Sequence, residues 1–505
     1  MSKTMTARRL ALAFVIAFAA GAARADDAKI TQADNPYFQS SLAQLNKALA
    51  QKPNTNRAKN VILFIGDGYG VTSMTAARIY EGQSRGVDGP SNKLAHEDFP
   101  YSAFSRTYAH DAIVTDSAPS AVAMTTGVKS NNNMLGLSGD AVWRDCEKSK
   151  GKEVTTIGEI AKTLGMSVGA VTTARVTDAT PAAIYAHAAH RSWESDGELG
   201  DAAKAGCIDI ARQLVEMKFG DGLDVMFGGG RMHFLPDTMA DPEHADKKGK
   251  RKDGRDLTAE WLKRYSNSGA YAWNLDGFNK IDPANTVHAL ALFERENMQY
   301  EADRKKDIGG EPSLAEMSVK AIDILAKNPQ GFFLMVEGGR IDHANHASNA
   351  YRTMTDAVAM DTALKAVLAK VSLDDTLIIV TADHSHTLTI SGYPDRDTPI
   401  LGLVKERGKL MLDLAGKPYT VLGFANGPGA KDGARDDLTA VDTSDADYVQ
   451  QSATPLHNET HGGEDVAIFA AGPWAHLVQG VVDENYIFFV MDYALQASAR
   501  LAEKK

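Results

Sequence analysis

The sequence predicts an α/β fold, a large and mainly parallel central sheet flanked by helices on both faces. Three observations predict it. Short segments rich in Val, Ile, Leu and Phe alternate along the chain with helix-like stretches. Those segments are apolar throughout, not at every second residue, which is the pattern of strands covered on both faces. Three of them end in charged or metal-ligating residues, and ligands of open α/β sheets gather beyond the carboxyl ends of the strands.

The first 25 residues read as a secretory signal peptide, outside the fold. Lys3, Arg8 and Arg9 make a positive start, residues 10–20 an apolar run too short to span a bilayer, and Ala23-Arg24-Ala25 a small-x-small cleavage site. Cleavage near Ala25 predicts a periplasmic or secreted protein. The tail from Ser498 to Lys505 is polar, so no membrane anchor is expected. Residues 26–59 read as a polar helical arm. Strands are expected at 60–66, 167–173, 223–228, 331–337, 376–382 and 466–471, and helices at 118–125, 154–164, 208–217, 314–326 and 351–371. Two stretches break the rhythm. Residues 237–307 are charged, and 386–458 are rich in Gly, Pro and Asp. Both read as insertions on one domain spanning 26–505. The basic run 247–252 reads as a solvated loop.

Composition narrows the function. With 505 residues, 44% of them hydrophobic, the chain is neither collagen, coiled coil, disordered nor a disulfide scaffold. A net charge of −11 argues against a nucleic-acid partner. It leaves a small anionic substrate open, since local charges and metals override the net field. Two cysteines, Cys146 and Cys207, in an exported chain are either one disulfide or two buried thiols.

The chemistry sits at strand ends. Asp67 follows the apolar run 60–66; Glu337, Asp342, His343 and His346 follow or close 331–337; Asp383, His384 and His386 follow 376–382. One such carboxylate is an ordinary helix cap; three clusters, two with histidine, point to metal. Asp342 and His346 are four residues apart and share a face on a helix. Asp383 and His384 are adjacent, which suits a strand-end turn. Imidazole with carboxylate favours zinc, whereas Asp67 and Glu337 suit a hard oxygen site for Mg²⁺. Ser117, at a helix start with Pro119 in the first turn, is the candidate nucleophile. Free N–H groups there favour a phosphate. No Gly-x-Ser-x-Gly surrounds it, and a metal beside it replaces the general base.

Together these motifs resemble the alkaline phosphatases from about residue 60 to 494: Ile65-Gly-Asp-Gly, Thr115-Asp-Ser-Ala, Asp178-Ala-Thr-Pro-Ala-Ala, Val336-Glu-Gly-Gly-Arg-Ile-Asp-His, Thr381-Ala-Asp-His-Ser-His and Glu459-Thr-His-Gly-Gly-Glu-Asp. Several look closer to the animal-type branch. The resemblance implies hydrolysis of small phosphate monoesters through a phosphoserine at Ser117, with two zinc ions and one magnesium. It implies one zinc on Asp342, His346 and His461, the other on Asp67, Asp383 and His384, and Mg²⁺ on Asp67, Thr180 and Glu337. Arg191 would clamp the phosphate, its planar fork taking two oxygens. Near the metals the family carries Asp or His at position 178 and Lys or His at 343; this chain combines Asp178 with His343. The animal-type branch further implies a calcium site near Glu243, the Phe293 carbonyl, Glu294 and Glu311, and a Cys146–Cys207 disulfide. Residues 392–456 resemble the crown region at the family's dimer interface, so a homodimer is implied.

Two other readings stand beside this one: a phosphodiesterase of the same superfamily, and a periplasmic metal- or phosphate-binding protein without turnover. A sulfatase is disfavoured, because Ser117-Ala-Pro-Ser-Ala lacks the arginine of the Cys/Ser-x-Pro-x-Arg motif.

Overall fold

The computed structural model describes residues 30–503, so the signal-peptide reading of 1–25 lies outside the described residues. The chain divides between Lys52 and Pro53 into two units. In the first, a helix runs from Pro36 to Ala50 with Asn35 as its N-cap, and none of its residues is buried.

The second unit is built on one ten-stranded sheet. Its strands in chain order are β1 (Asn60–Gly66), β2 (Tyr101–Arg106), β3 (Ser167–Arg175), β4 (Val225–Gly229), β5 (Gly269–Ala272), β6 (His288–Leu292), β7 (Phe332–Gly338), β8 (Thr376–Ala382), β9 (Val466–Ala471) and β10 (Val481–Asp483). In space they run β10-β2-β9-β8-β1-β7-β3-β4-β6-β5. All neighbours are parallel except β9, which is antiparallel to both β2 and β8.

Successive side chains of a strand point to opposite faces, and here both faces are covered. Val61, Leu63, Ile65, Met335 and Ile379 pack into one core. Ile62, Phe64, Leu334, Val336, Ile378 and Val380 pack into the other. That double burial is why the strands read as unbroken apolar runs. Truncating a side chain such as Phe64 to Ala would cost about 3–5 kcal/mol.

The register positions the chemistry. Gly66 of β1 lies opposite Gly338 of β7 and Ala382 of β8. The three central strands therefore end abreast, and the residues that follow them open onto one cleft.

The covering helices begin at side-chain caps: Thr156 with Glu159 before Ile157–Thr163, Asp209 before Ile210–Glu216, Ser313 with Glu316 before Leu314–Leu325, and Asn349 before Ala350–Leu368. Four strands of this sheet were not anticipated. β2 is buried only at alternate residues along its end, and β10 has three residues. β5 and β6 lie within 237–307 and extend the sheet edge. His-Ala-Leu-Ala-Leu of β6 has weak strand propensity, and its pairing with β4 and β5 fixes it. Residues 386–458 carry a separate three-stranded sheet of Leu388–Ile390, Leu422–Gly427 and Ser452–Pro455. Cys146 and Cys207 form a disulfide. Among the described residues no helix is long and apolar enough to cross a membrane.

Candidate metal centre and nucleophile

The region beyond the ends of β8, β1 and β7 gathers side chains from widely separated segments. Asp67 follows β1 through a turn in which Gly68 has φ +64°. A Cβ at Gly68 would run into the His386 ring, so the second glycine of Gly-Asp-Gly is required by contact as well as by backbone conformation. The Gly68 N–H donates to Asp383 Oδ1 at 2.9 Å, tying the end of β1 to the end of β8. Asp342 and His346 lie on the helix Arg340–His346 that follows β7. His461 lies on a two-residue strand paired with Ser385–His386.

Two groups of side chains that could hold a metal ion meet there. In one, His461 Nε2 and His346 Nε2 are 3.1 Å apart, and Asp342 Oδ1 is 3.3 Å from His346 Nε2 and 3.4 Å from His461 Nε2. In the other, His384 Nε2 is 3.2 Å from Asp67 Oδ1 and 3.4 Å from Asp383 Oδ2. Ser117 touches the second set, its Oγ lying 3.1 Å from His384 Nε2 and 3.4 Å from Asp67 Oδ1. Ser117 opens the helix Ser117–Thr126, capped by Asp116, whose carboxylate accepts the Ala118 N–H. Such a cap contributes about 1 kcal/mol and aims the remaining N–H groups at the cleft.

The third group lies one strand over. The Glu337 carboxylate accepts the Thr172 hydroxyl of β3. Thr180 is buried, its Oγ1 without a hydrogen-bond partner. Asp178 caps the short helix Ala179–Ala182. His343 Nδ1 lies 3.0 Å from Arg340 Nη1.

This is an excess of buried acid. Burial, then Asp383, Asp342 and Glu337, push the Asp67 carboxyl well above its ordinary range. Burial, with Asp178 and Asp383 nearby, pushes Glu337 to about 8, and burial takes Asp383 to about 6. Burial and neighbouring imidazoles hold His384 well below the usual histidine value. Asp342 is the exception: against its burial, the imidazoles of His346, His386 and His461 hold it well below the carboxylate range. Asp383 Oδ2 is buried without a hydrogen-bond partner. Bare carboxylates this close together are unfavourable without cations. The donors, imidazole and carboxylate in the two sets and oxygen alone around Glu337 and Thr180, fit zinc in the first case and magnesium in the second.

Arg191 is held from two sides, Nη1 donating to Asp116 at 3.0 Å and Nη2 to Asp178 at 2.8 Å. Asp178 in turn accepts from Arg175 at 2.7 Å. One carboxylate thus spaces two guanidinium groups, and Asp116 links Arg191 to the start of the Ser117 helix.

A second acidic group lies apart, at Glu243, Glu294, Asp307 and Glu311. Burial and its acidic neighbours push Asp307 to about 7 and Glu311 to about 9. Asp307 Oδ2 and Glu311 Oε2 are buried without hydrogen-bond partners. Arg231 already occupies part of this group, donating to Glu243 and to the Phe293 carbonyl.

Sequence reasoning assigned no role to four of the residues that shape the site. His386 joins Asp342 at 2.8 Å to Glu459 at 2.6 Å. Asp116 holds Arg191. Asp307 joins the second acidic group. His386 was visible in Asp383-His-Ser-His; Glu459 and Asp116 stand beside His461 and Ser117 in quoted motifs but carry no signal of their own.

The chain matches the family model described as alkaline phosphatase over residues 58–497. It is 45% identical over 473 residues to an alkaline phosphatase of Gadus morhua, covering 92% of this chain and 98% of that one. It is 46% identical over 460 residues to the tissue-nonspecific isozyme of alkaline phosphatase of Homo sapiens, covering 89% and 86%. Its fold is similar to the solved structure of Thermus thermophilus alkaline phosphatase, with TM-score 0.62, 25% identity and coverage of 90% and 98%. A TAB5 alkaline phosphatase mutant carrying Asp for His, with Mg bound in its M3 site, has TM-score 0.60 and 24% identity, covering 88% and 99%.

Proposed function

This chain belongs to the alkaline phosphatase family, and we propose that it hydrolyses phosphate monoesters to alcohol and inorganic phosphate through a phosphoserine at Ser117. The observation that carries this reading is the placement of Ser117 Oγ, at a helix N-terminus and 3.1 Å from His384 Nε2. Asp342, His346 and His461 would hold one zinc ion; Asp67, Asp383 and His384 the other; Asp67, Thr180 and Glu337 a magnesium ion, with Asp178 and His343 beside it. When bound, these ions supply Lewis-acid chemistry, favouring an ionised hydroxyl and offsetting negative charge on phosphate oxygens.

The chain's own residues do the rest. Arg191, aimed by Asp116 and Asp178, binds non-bridging oxygens. The N–H groups at the start of the Ser117 helix add to that grip. Ser117 Oγ forms a bond to phosphorus as the ester bond to the leaving oxygen breaks. Water then cleaves the phosphoserine, releasing phosphate and restoring the hydroxyl. The residues named here grip only the phosphate, which supports a broad range of monoesters. Release of p-nitrophenol from p-nitrophenyl phosphate, lost in EDTA and restored by Zn²⁺ with Mg²⁺, is the expected result. Full activity after prolonged chelation would overturn the metal reading. A higher rate on bis-p-nitrophenyl phosphate would favour the diesterase reading instead.

The same reading includes a calcium ion at Glu243, Glu294 and Glu311, to which Asp307 adds a fourth carboxylate; Phe293 offers its carbonyl, shared with Arg231. Metal analysis of purified protein tests it, with calcium expected in the wild type and lost in Glu294→Gln. Export to the periplasm or medium and a homodimer through residues 392–456 complete the proposal; cell fractionation and light scattering test these.

A further inference from the structure

Trp143 and Arg144 stand out in the loop that leads into the Cys146–Cys207 disulfide. Trp143 is 56% exposed, an unusual place for the largest apolar side chain. Arg144 has φ +57°, a left-handed backbone conformation that non-glycine residues rarely adopt. That turn lays the Arg144 guanidinium over the Trp143 ring, 4.9 Å from its centroid. The arrangement is backed from below. The Trp143 ring lies 5.7 Å from His190, and His190 lies 6.4 Å from the buried Trp193. His190 accepts the Ser192 N–H at Nδ1 and meets Arg144 Nη2 at 3.3 Å. The Arg144 N–H donates to the Ala189 carbonyl at 3.0 Å, and the disulfide at Cys146 closes the loop two residues on.

The platform is anchored to the phosphate clamp. His190 directly precedes Arg191, and the Arg191 N–H donates to the Asn133 carbonyl. Asn131 of the same stretch donates to the carbonyl of Gly139 at 3.0 Å, and Asn132 to that of Val114 at 3.2 Å. A single hydrogen-bonded frame therefore carries Trp143, Arg191 and the segment leading into Ser117.

We propose that Trp143, backed by His190 and flanked by Arg144, is a stacking platform for planar leaving groups, such as the base of a nucleoside monophosphate or an aryl ring. This rests on the phosphomonoesterase reading and adds to it the class of ester preferred. A ring this exposed stacks on planar groups, and the guanidinium over it strengthens such contacts.

Initial rates on adenosine 5′-monophosphate, 1-naphthyl phosphate and glycerol phosphate test it, with wild type, Trp143→Ala and Trp143→Phe in Zn²⁺ and Mg²⁺. The expected result is a kcat/KM for the two planar esters that falls about tenfold relative to glycerol phosphate in Trp143→Ala, the loss of one stacking contact, with most of it recovered in Trp143→Phe. Equal change on all three esters, or none, would overturn the platform while leaving the phosphatase reading intact. No phosphate release by the wild type from any of them would instead remove the reading on which it rests.

Discussion

Ser117 Oγ lies 3.1 Å from His384 Nε2, although 267 residues separate them in the chain. One comes from a helix start and the other from the end of β8 at the centre of the sheet. That proximity sets the hydroxyl of the first residue of a helix beside a buried imidazole and carboxylate, and the reading of Ser117 as nucleophile gives the first prediction. Ser117→Ala loses turnover by about three orders of magnitude or more, while zinc content, read by plasma mass spectrometry, stays at the wild-type level. Wild-type turnover in that variant would reject Ser117.

Arg191 should matter for binding more than for folding. Each charge-assisted hydrogen bond to phosphate is worth about 1.5–3 kcal/mol, so Arg191→Ala is expected to weaken inhibition by inorganic phosphate about ten- to a hundredfold. Asp178→Asn, which removes the charge at one of its two supports, should weaken it in the same direction by less. Unchanged inhibition constants in both variants would take Arg191 out of the phosphate site.

Much of this was legible in the sequence, for a physical reason. Asp67, Glu337 and Asp383 announce themselves because a carboxylate at the end of a fully apolar strand is costly unless it has work there, and β1, β7 and β8 are buried on both faces. His461 and Arg191 carry no such signal. His461 reaches the site through a two-residue strand pairing, and Arg191 sits in a loop whose direction depends on Asp116 and Asp178. Only resemblance to a family singled them out. The edge strands β5 and β10, and β6 beside β5, were missed because they are short and held by their neighbours' pairing more than by their own propensity.

His96 sets an acid limit on stability. Burial lowers its pKa to about 4, against about 6.5 in an unfolded chain. The folded state therefore keeps His96 neutral while the unfolded state takes up a proton. The stabilisation is full above about pH 6.5 and is lost as pH falls toward 4, by up to about 3 kcal/mol. His96→Phe, which keeps the ring beside Phe469, should gain on the wild type in urea midpoint as pH drops from 7.5 to 5. A constant difference across that range would contradict the assignment.

The Cys146–Cys207 disulfide closes a loop with sequence separation 61, which the chain-entropy account values at about 4 kcal/mol. Replacing both cysteines with Ser should lower Tm by several degrees in scans of metal-loaded protein. An unchanged Tm would mean that the link adds no stability.

The central claim is tested most directly by trapping the enzyme during turnover. The protein is incubated with excess p-nitrophenyl phosphate at acidic pH, quenched in acid and mapped by peptide mass spectrometry. The account predicts one added phosphoryl group on the peptide carrying Ser117, absent from Ser117→Ala. A phosphoryl group on any other residue, or an unmodified peptide from an enzyme shown to be turning over under the same conditions, would contradict it.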